Sequence, residues 1–146
     1  GEGLRGRGLP FETLPVGRGR RLREGRDVAL VTVGTVGNAA ARAAERAAAQ
    51  GVEAAHYDLR WVKPLDTELL DEVGRTFRRV ITVEDGCLRG GVGEAVAAYF
   101  NARGYDAHVT CLGIGDAWVE HGTPEQLHAL CGYDEESILR ALTQPA

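Results

Sequence analysis

A chain of 146 residues, 44% apolar and 26% charged, is long enough to bury a real core and predicts a single domain. Its formal charge of −4 and pI near 5.6 give no reason to expect a nucleic-acid partner, and no apolar run approaches the roughly 20 residues that cross a bilayer. Cys87, Cys111 and Cys131 are odd in number and have neither zinc-ribbon nor C-x-x-C spacing, so they read as reduced thiols of a cytoplasmic protein.

The charge is uneven along the chain. Residues 1–26 carry seven arginines against Glu2, Glu12 and Glu24, a net of +4, while the remaining ten basic and eighteen acidic residues leave −8. A basic extended arm or linker, 1–26, is therefore expected ahead of an acidic domain, 27–146, with a solvated leader weighed against a specific acidic partner. The spacings Gly1-x-Gly3 and Gly6-x-Gly8 are loop chemistry, and an extended arm or a short edge hairpin is expected around Leu14–Leu22. With no methionine anywhere, Gly1 reads as an internal residue of a longer protein, and nothing near it resembles a signal peptide.

Asp27–Val33 is continuously apolar and β-branched, which predicts a central strand covered on both faces. Gly34 to Asn38 is a strand-to-helix turn, with Asn38 as the expected cap of an alanine-rich helix that runs to Gln50 and stops at Gly51. Val52–Asp58 is the second strand. Pro64 interrupts the segment after it, and Asp66 is placed to cap a short helix through Val73. The third strand, Arg79–Glu84, runs into a glycine-rich turn and a helix that ends near Gly104. Ala107–Leu112 partly alternates and is placed near an edge. Thr123-Pro124-Glu125-Gln126 is a capping signature, and Asp134 caps a last helix through Leu142. Strands alternating with helices across short loops predict an α/β fold with a mostly parallel sheet.

The stretch Val80–Gly93, VITVEDGCLRGGVG, organises the chain. Its apolar strand ends in Glu84 and Asp85. The turn holds Gly86, Gly90, Gly91 and Gly93, and Val92, Val96, Ala97 and Phe100 form a stripe that packs on the sheet. In open α/β folds, ligands and partners gather at this carboxyl edge. Glu84 and Asp85 could form a carboxylate pair, but neighbours on an extended segment point to opposite sides, so acceptance of backbone N–H groups in the turn is the favoured reading. The glycines at a helix start could hold an anion or serve close packing. Gly34-x-x-Gly37 lacks the G-x-G-x-x-G spacing of a dinucleotide site. Glu120-His121-Gly122 puts an acid beside an imidazole in a loop, as a base or an interface contact, while His56, His108 and His128 assemble no metal set. Trp61 and Trp118 fall in loops where a contact with another domain or subunit is as plausible as a core role.

Three segments together resemble one family. DLRWVKPLD at Asp58–Asp66, ITVEDGCLRGGVG at Ile81–Gly93, and Leu112–Ile138 with EHGTPEQL and CGYDEESI are similar to the C-terminal domain of the 1-deoxy-D-xylulose-5-phosphate synthase family. The resemblance implies a three-layer α/β/α domain with a doubly wound, mostly parallel sheet of the transketolase C-terminal type. It implies a homodimeric cytoplasmic enzyme that joins pyruvate to glyceraldehyde 3-phosphate with loss of carbon dioxide, on the route to isoprenoids, thiamine and pyridoxal. Thiamine diphosphate and magnesium belong to the family's other domains, so this domain is expected to hold no catalytic, cofactor or metal residue and to be inactive alone. Its partners are then the other domains of its own chain and a second subunit, with no nucleic acid and no membrane. Glu84, Gly86, Gly90, Gly91, Gly93, Glu120, His121 and Gly122 match the family's signature and are carried over as loop or interface residues, with Trp118 as a further loop or interface candidate. Gly115, Ala117 and Trp118 depart from the proline, arginine and phenylalanine that are usual there, and Val92 stands for the usual phenylalanine. The alternatives are the matching domain of a transketolase or of a 2-oxo acid dehydrogenase β subunit, and a stand-alone module that binds an anion or a protein partner.

Overall fold

Every residue of Val28–Thr32 and nearly every residue of Arg79–Val83 is buried, and these two strands lie side by side at the centre of a five-stranded sheet. The computed structural model describes residues 17–60, 64–84, 91–112 and 135–144. In chain order the elements are β1 (Arg20–Arg23), β2 (Val28–Thr32), α1 (Gly37–Ala49), β3 (Ala54–Asp58), α2 (Thr67–Thr76), β4 (Arg79–Val83), α3 (Val92–Arg103), β5 (His108–Leu112) and α4 (Glu135–Thr143). The sheet order is β1-β3-β2-β4-β5. Strands β3, β2, β4 and β5 are parallel, and β1 runs antiparallel along the β3 edge.

The two-residue period of the strands sorts the core into two layers. Val28, Leu30, Ala54, Ile81 and Val83 meet α1 and α4, whereas Ala29, Val31, Ala55, Tyr57 and Val80 meet α2 and α3. Burying each larger aliphatic side chain contributes about 1.5–3 kcal/mol, so both layers are needed to hold the sheet. Ala40, Ala43, Ala44 and Ala47 form the buried stripe of α1, and the absence of longer side chains lets that helix lie close to β2 and β3. Val92, Val96 and Phe100 do the same work for α3, with Ala97 only partly buried. The result is the three-layer, doubly wound arrangement expected from the alternation of strands and helices.

Three local features differ from the sequence expectation. Asn38 does not cap α1: Gly34–Val36 form a single 3₁₀ turn, the helix starts at Gly37, and Asn38 lies exposed inside its first turn. The cause is Gly34, whose φ of 87° turns the chain straight off β2 and brings the helix start forward. Helix α2 continues past Val73 to Thr76, its last turn closed by the Phe77 amide donating to the Val73 carbonyl at 2.9 Å, and Gly74 within it leaves room for the Tyr105 ring, which a Cβ would meet at 2.4 Å. The described end of the basic arm is a strand whose bonding to β3 shifts register between Arg21 and Arg23. The expected cap at Asp66 is present, with Oδ1 accepting the Leu69 amide at 3.1 Å. The helix expected after Thr123 lies outside the described residues.

Candidate functional site

The Val33 amide donates to the Val83 carbonyl at 3.2 Å, and beyond that bond β2 and β4 part. The chain leaves β2 for α1 on one face of the sheet and leaves β4 for α3 on the other. This divergence is the topological switch point, the place where an open α/β sheet forms a crevice at its carboxyl edge. Both outgoing turns pass through an exposed glycine at positive φ, Gly34 at 87° and Gly91 at 68°. The N-cap residues of α1 and α3, Val36 and Gly91, supply no side-chain cap, in contrast to Asp66 at α2; the Gly37 amide that starts α1 donates instead to the Gly34 carbonyl.

Glu84 stands at the end of β4, where its own amide donates to Leu112 O at 3.4 Å. Its Oε2 accepts the Gly93 amide at 3.1 Å, which ties the strand end to the first turn of α3. Negative charge at that helix start is favourable against the backbone dipole. The other carboxylate oxygen, Oε1, is buried and has no hydrogen-bond partner among the described residues, and the same holds for Thr82 Oγ1. A Cβ on Gly93 would lie 2.4 Å from Cys111 Sγ and 2.7 Å from Thr82 Oγ1, so only glycine fits between α3 and the sheet. Glu84, Gly91 and Gly93 are thus brought together as one turn. Gly86, Gly90, Trp118, Glu120, His121 and Gly122 lie outside the described residues, as do Asp85 and Trp61.

A second polar cluster, with no role assigned to it from sequence, sits near the carboxyl ends of β2 and β3. Thr32 Oγ1 is 2.9 Å from His56 Nε2, and both residues are 1% exposed. Burial holds the His56 ring neutral with a pKa of about 4; Asp58 raises it and Arg23 lowers it by smaller amounts. The signal was a polar residue in each of two otherwise apolar buried strands. Such a hydroxyl and imidazole, closed off from solvent, hold strands in register and offer no substrate a path.

A third cluster fastens the arm. Asp66 Oδ2 accepts the Gly19 amide at 2.8 Å, Arg18 pairs with Glu68 at 2.7 Å, and Tyr57 Oη donates to Glu72 at 3.2 Å. Burial first, and Glu72 second, push the Tyr57 phenol above its ordinary pKa. A groove of about 300 Å³ between β1 and α2 is lined by Arg21, Ala55, Tyr57, Glu72 and Phe77 among others, and its charged rim is already paired at 3.4 Å. Among the described residues no three His, Cys, Asp or Glu converge to hold a metal ion, and no helix is long and apolar enough to cross a membrane.

Residues 17–138 match the family described as the transketolase C-terminal domain. The chain is 48% identical over 147 aligned positions to a 1-deoxy-D-xylulose-5-phosphate synthase of Bacteroides fragilis, covering 96% of this chain and 23% of that protein. It is 48% identical to the synthase of Bacteroides thetaiotaomicron over 94% of this chain and 22% of the relative. The chain therefore spans about a fifth of the length of these curated relatives. Among solved structures, a split-gene transketolase described as an inactive β4 tetramer superposes with a TM-score of 0.81 at 33% identity, over 92% of this chain and 44% of that one.

Proposed function

This chain belongs to the transketolase C-terminal domain family, and from that premise we propose that it serves as the C-terminal domain of a 1-deoxy-D-xylulose-5-phosphate synthase. The observation that carries the reading is the 48% identity to a synthase of that name along nearly the whole chain. The longer protein would be a homodimeric cytoplasmic transferase that joins pyruvate to glyceraldehyde 3-phosphate with release of carbon dioxide. Thiamine diphosphate, held with magnesium by other parts of that protein, would supply the electron sink for the reaction. The described residues do not fit that cofactor: they offer no metal-binding group and no open acid–base pair, so no catalytic step is assigned to them.

The work of this domain is structural. Glu84 fixes the β4–α3 turn through Gly93, and Gly91 supplies the left-handed turn that starts α3. Gly86, Gly90, Trp118, Glu120, His121 and Gly122 complete the proposed set of loop and interface residues. The test is formation of 1-deoxy-D-xylulose 5-phosphate from pyruvate and glyceraldehyde 3-phosphate, with thiamine diphosphate and magnesium, by the complete gene product and by residues 1–146 alone. Product from the first and none from the second is the expected result. A complete protein that makes no product would overturn the synthase assignment, and transketolase and 2-oxo acid substrates would then be tried.

A further inference from the structure

Strand β1 is seated on the sheet without adding to its core. Its four residues are mostly exposed and none joins either apolar layer, whereas β2, on the other side of β3, is buried throughout. It is held by its ladder to β3, by the Gly19 amide on Asp66, and by ion pairs of Arg18 with Glu68 and Arg21 with Glu72 that lie about half in solvent or more. An element with few apolar contacts opens locally at a lower free energy than the fold as a whole.

Beside this strand lies the buried ring of His56. After the register shift in β1, Arg23 is its partner across the ladder. His56 is in register with Leu30, so it faces the layer that α1 covers with Ala40, Ala43, Ala44 and Ala47. Its surroundings are therefore the Thr32 hydroxyl from β2, alanines from α1, Asp58 on its own strand and Arg23 from β1. Asp58 attracts charge on the ring and Arg23 repels it, but burial outweighs both. A charged imidazole here needs water. Neither β2 nor α1 can admit it without opening the core, and β1 can. Lifting β1 also returns to water the Arg23 Nε–H, a buried donor with no partner among the described residues.

We infer that His56 is a proton-sensitive latch for β1: the ring is neutral while the strand is seated, and its protonation accompanies detachment of β1 from β3 with the rest of the sheet in place. The ring titrates at about 4 when buried and at its ordinary 6.5 once water reaches it. The detached state therefore takes up the proton first as pH falls. Its population grows from about pH 6.5 down to about pH 4 and then levels off, and between pH 7 and pH 5 it gains about tenfold or more.

The test is hydrogen–deuterium exchange with mass spectrometry on the complete gene product at pH 7, 6 and 5, corrected for intrinsic exchange chemistry, with peptides spanning β1 compared with peptides spanning β4. The expected result is that β1 is less protected than β4 at every pH and loses about tenfold or more of its protection from pH 7 to pH 5. His56→Gln, which keeps a hydrogen-bonding side chain but does not titrate, is expected to show no such loss. Protection of β1 that stays constant with pH, that equals that of β4 throughout, or that falls equally in His56→Gln would overturn the inference. The slow deuterium exchange of the His56 ring carbon, read on the same wild-type preparation, keeps the test decisive if the variant does not fold. A ring that titrates at its ordinary value while β1 is still protected would overturn the inference as well.

Discussion

Asp66 accepts two amides from opposite directions, Gly19 through Oδ2 at 2.8 Å and Leu69 through Oδ1 at 3.1 Å. One carboxylate, 5% exposed, thus caps α2 and holds the incoming arm to the sheet. Loss of a helix cap costs about 1 kcal/mol, and loss of a charge-assisted bond about 1.5–3 kcal/mol. Asp66→Ala is expected to lower stability in urea unfolding by about 2–4 kcal/mol and to raise amide exchange in both β1 and the first turn of α2. Asp66→Asn keeps a good cap and is expected to disturb β1 more than α2. Exchange that rises in α2 alone would show that the arm is held by other contacts.

Gly93 and Cys111 give a steric prediction. The Cβ of Gly93→Ala meets Cys111 Sγ, Thr82 Oγ1 and Cys111 Cβ at 2.4, 2.7 and 2.9 Å. Forcing a methyl group into such a contact costs typically about 1–3 kcal/mol. Trimming the partner in Gly93→Ala/Cys111→Ala removes the nearest atom, and is expected to recover part of the loss in denaturant midpoint. The two substitutions touch, so their effects are expected to be non-additive; simple additivity would mean that α3 moves away as a body.

The alternation of strands and helices was legible because β2 and β4 are buried on both faces and therefore appear as unbroken apolar runs. The cap at Asp66 and the stop at Gly104 carried their own chemistry in the sequence. Strand β1 did not: RRLR is mostly exposed and has no apolar alternation, and its place is set by backbone approaches at Gly19 and Gly25 that only the fold creates. At the candidate site, Glu84 and Gly93 are nine residues apart and readable as one turn. Thr32 and His56 are 24 residues apart, and their pairing depends on strand order, which periodicity does not encode.

His56 makes stability depend on pH. Its pKa lies at about 4 in the folded chain against an ordinary 6.5, so the unfolded chain binds a proton first as pH falls. The folded state therefore loses stability from about pH 6.5 down to about pH 4, and the loss levels off below that. A shift of this size corresponds to about 3 kcal/mol over the window. Urea midpoints measured between about pH 7.5 and 4 are expected to fall, and to fall less in His56→Gln, which does not titrate. Equal slopes in the two proteins would place the acid sensitivity in other groups.

The α1–α4 contact separates exposed charge from buried apolar surface. Arg42 and Arg46 reach Glu135 at 2.8 and 2.9 Å, and Arg46 also pairs with Glu136, with both arginines largely in solvent. These bonds draw the Glu135 carboxyl below its ordinary pKa, Arg42 first and Arg46 second. Exposed pairs of this kind contribute little to stability and weaken with salt. Directly beneath them Ile138 and Leu142 are fully buried in the layer shared with α1 and β4. Truncating a buried leucine to alanine costs about 2–5 kcal/mol. Leu142→Ala is thus expected to lower the unfolding free energy severalfold more than Glu135→Gln, with only the latter's effect fading in about 0.5 M salt. The reverse order would mean that the ion pairs, and not the apolar stripe, seat α4 on the domain.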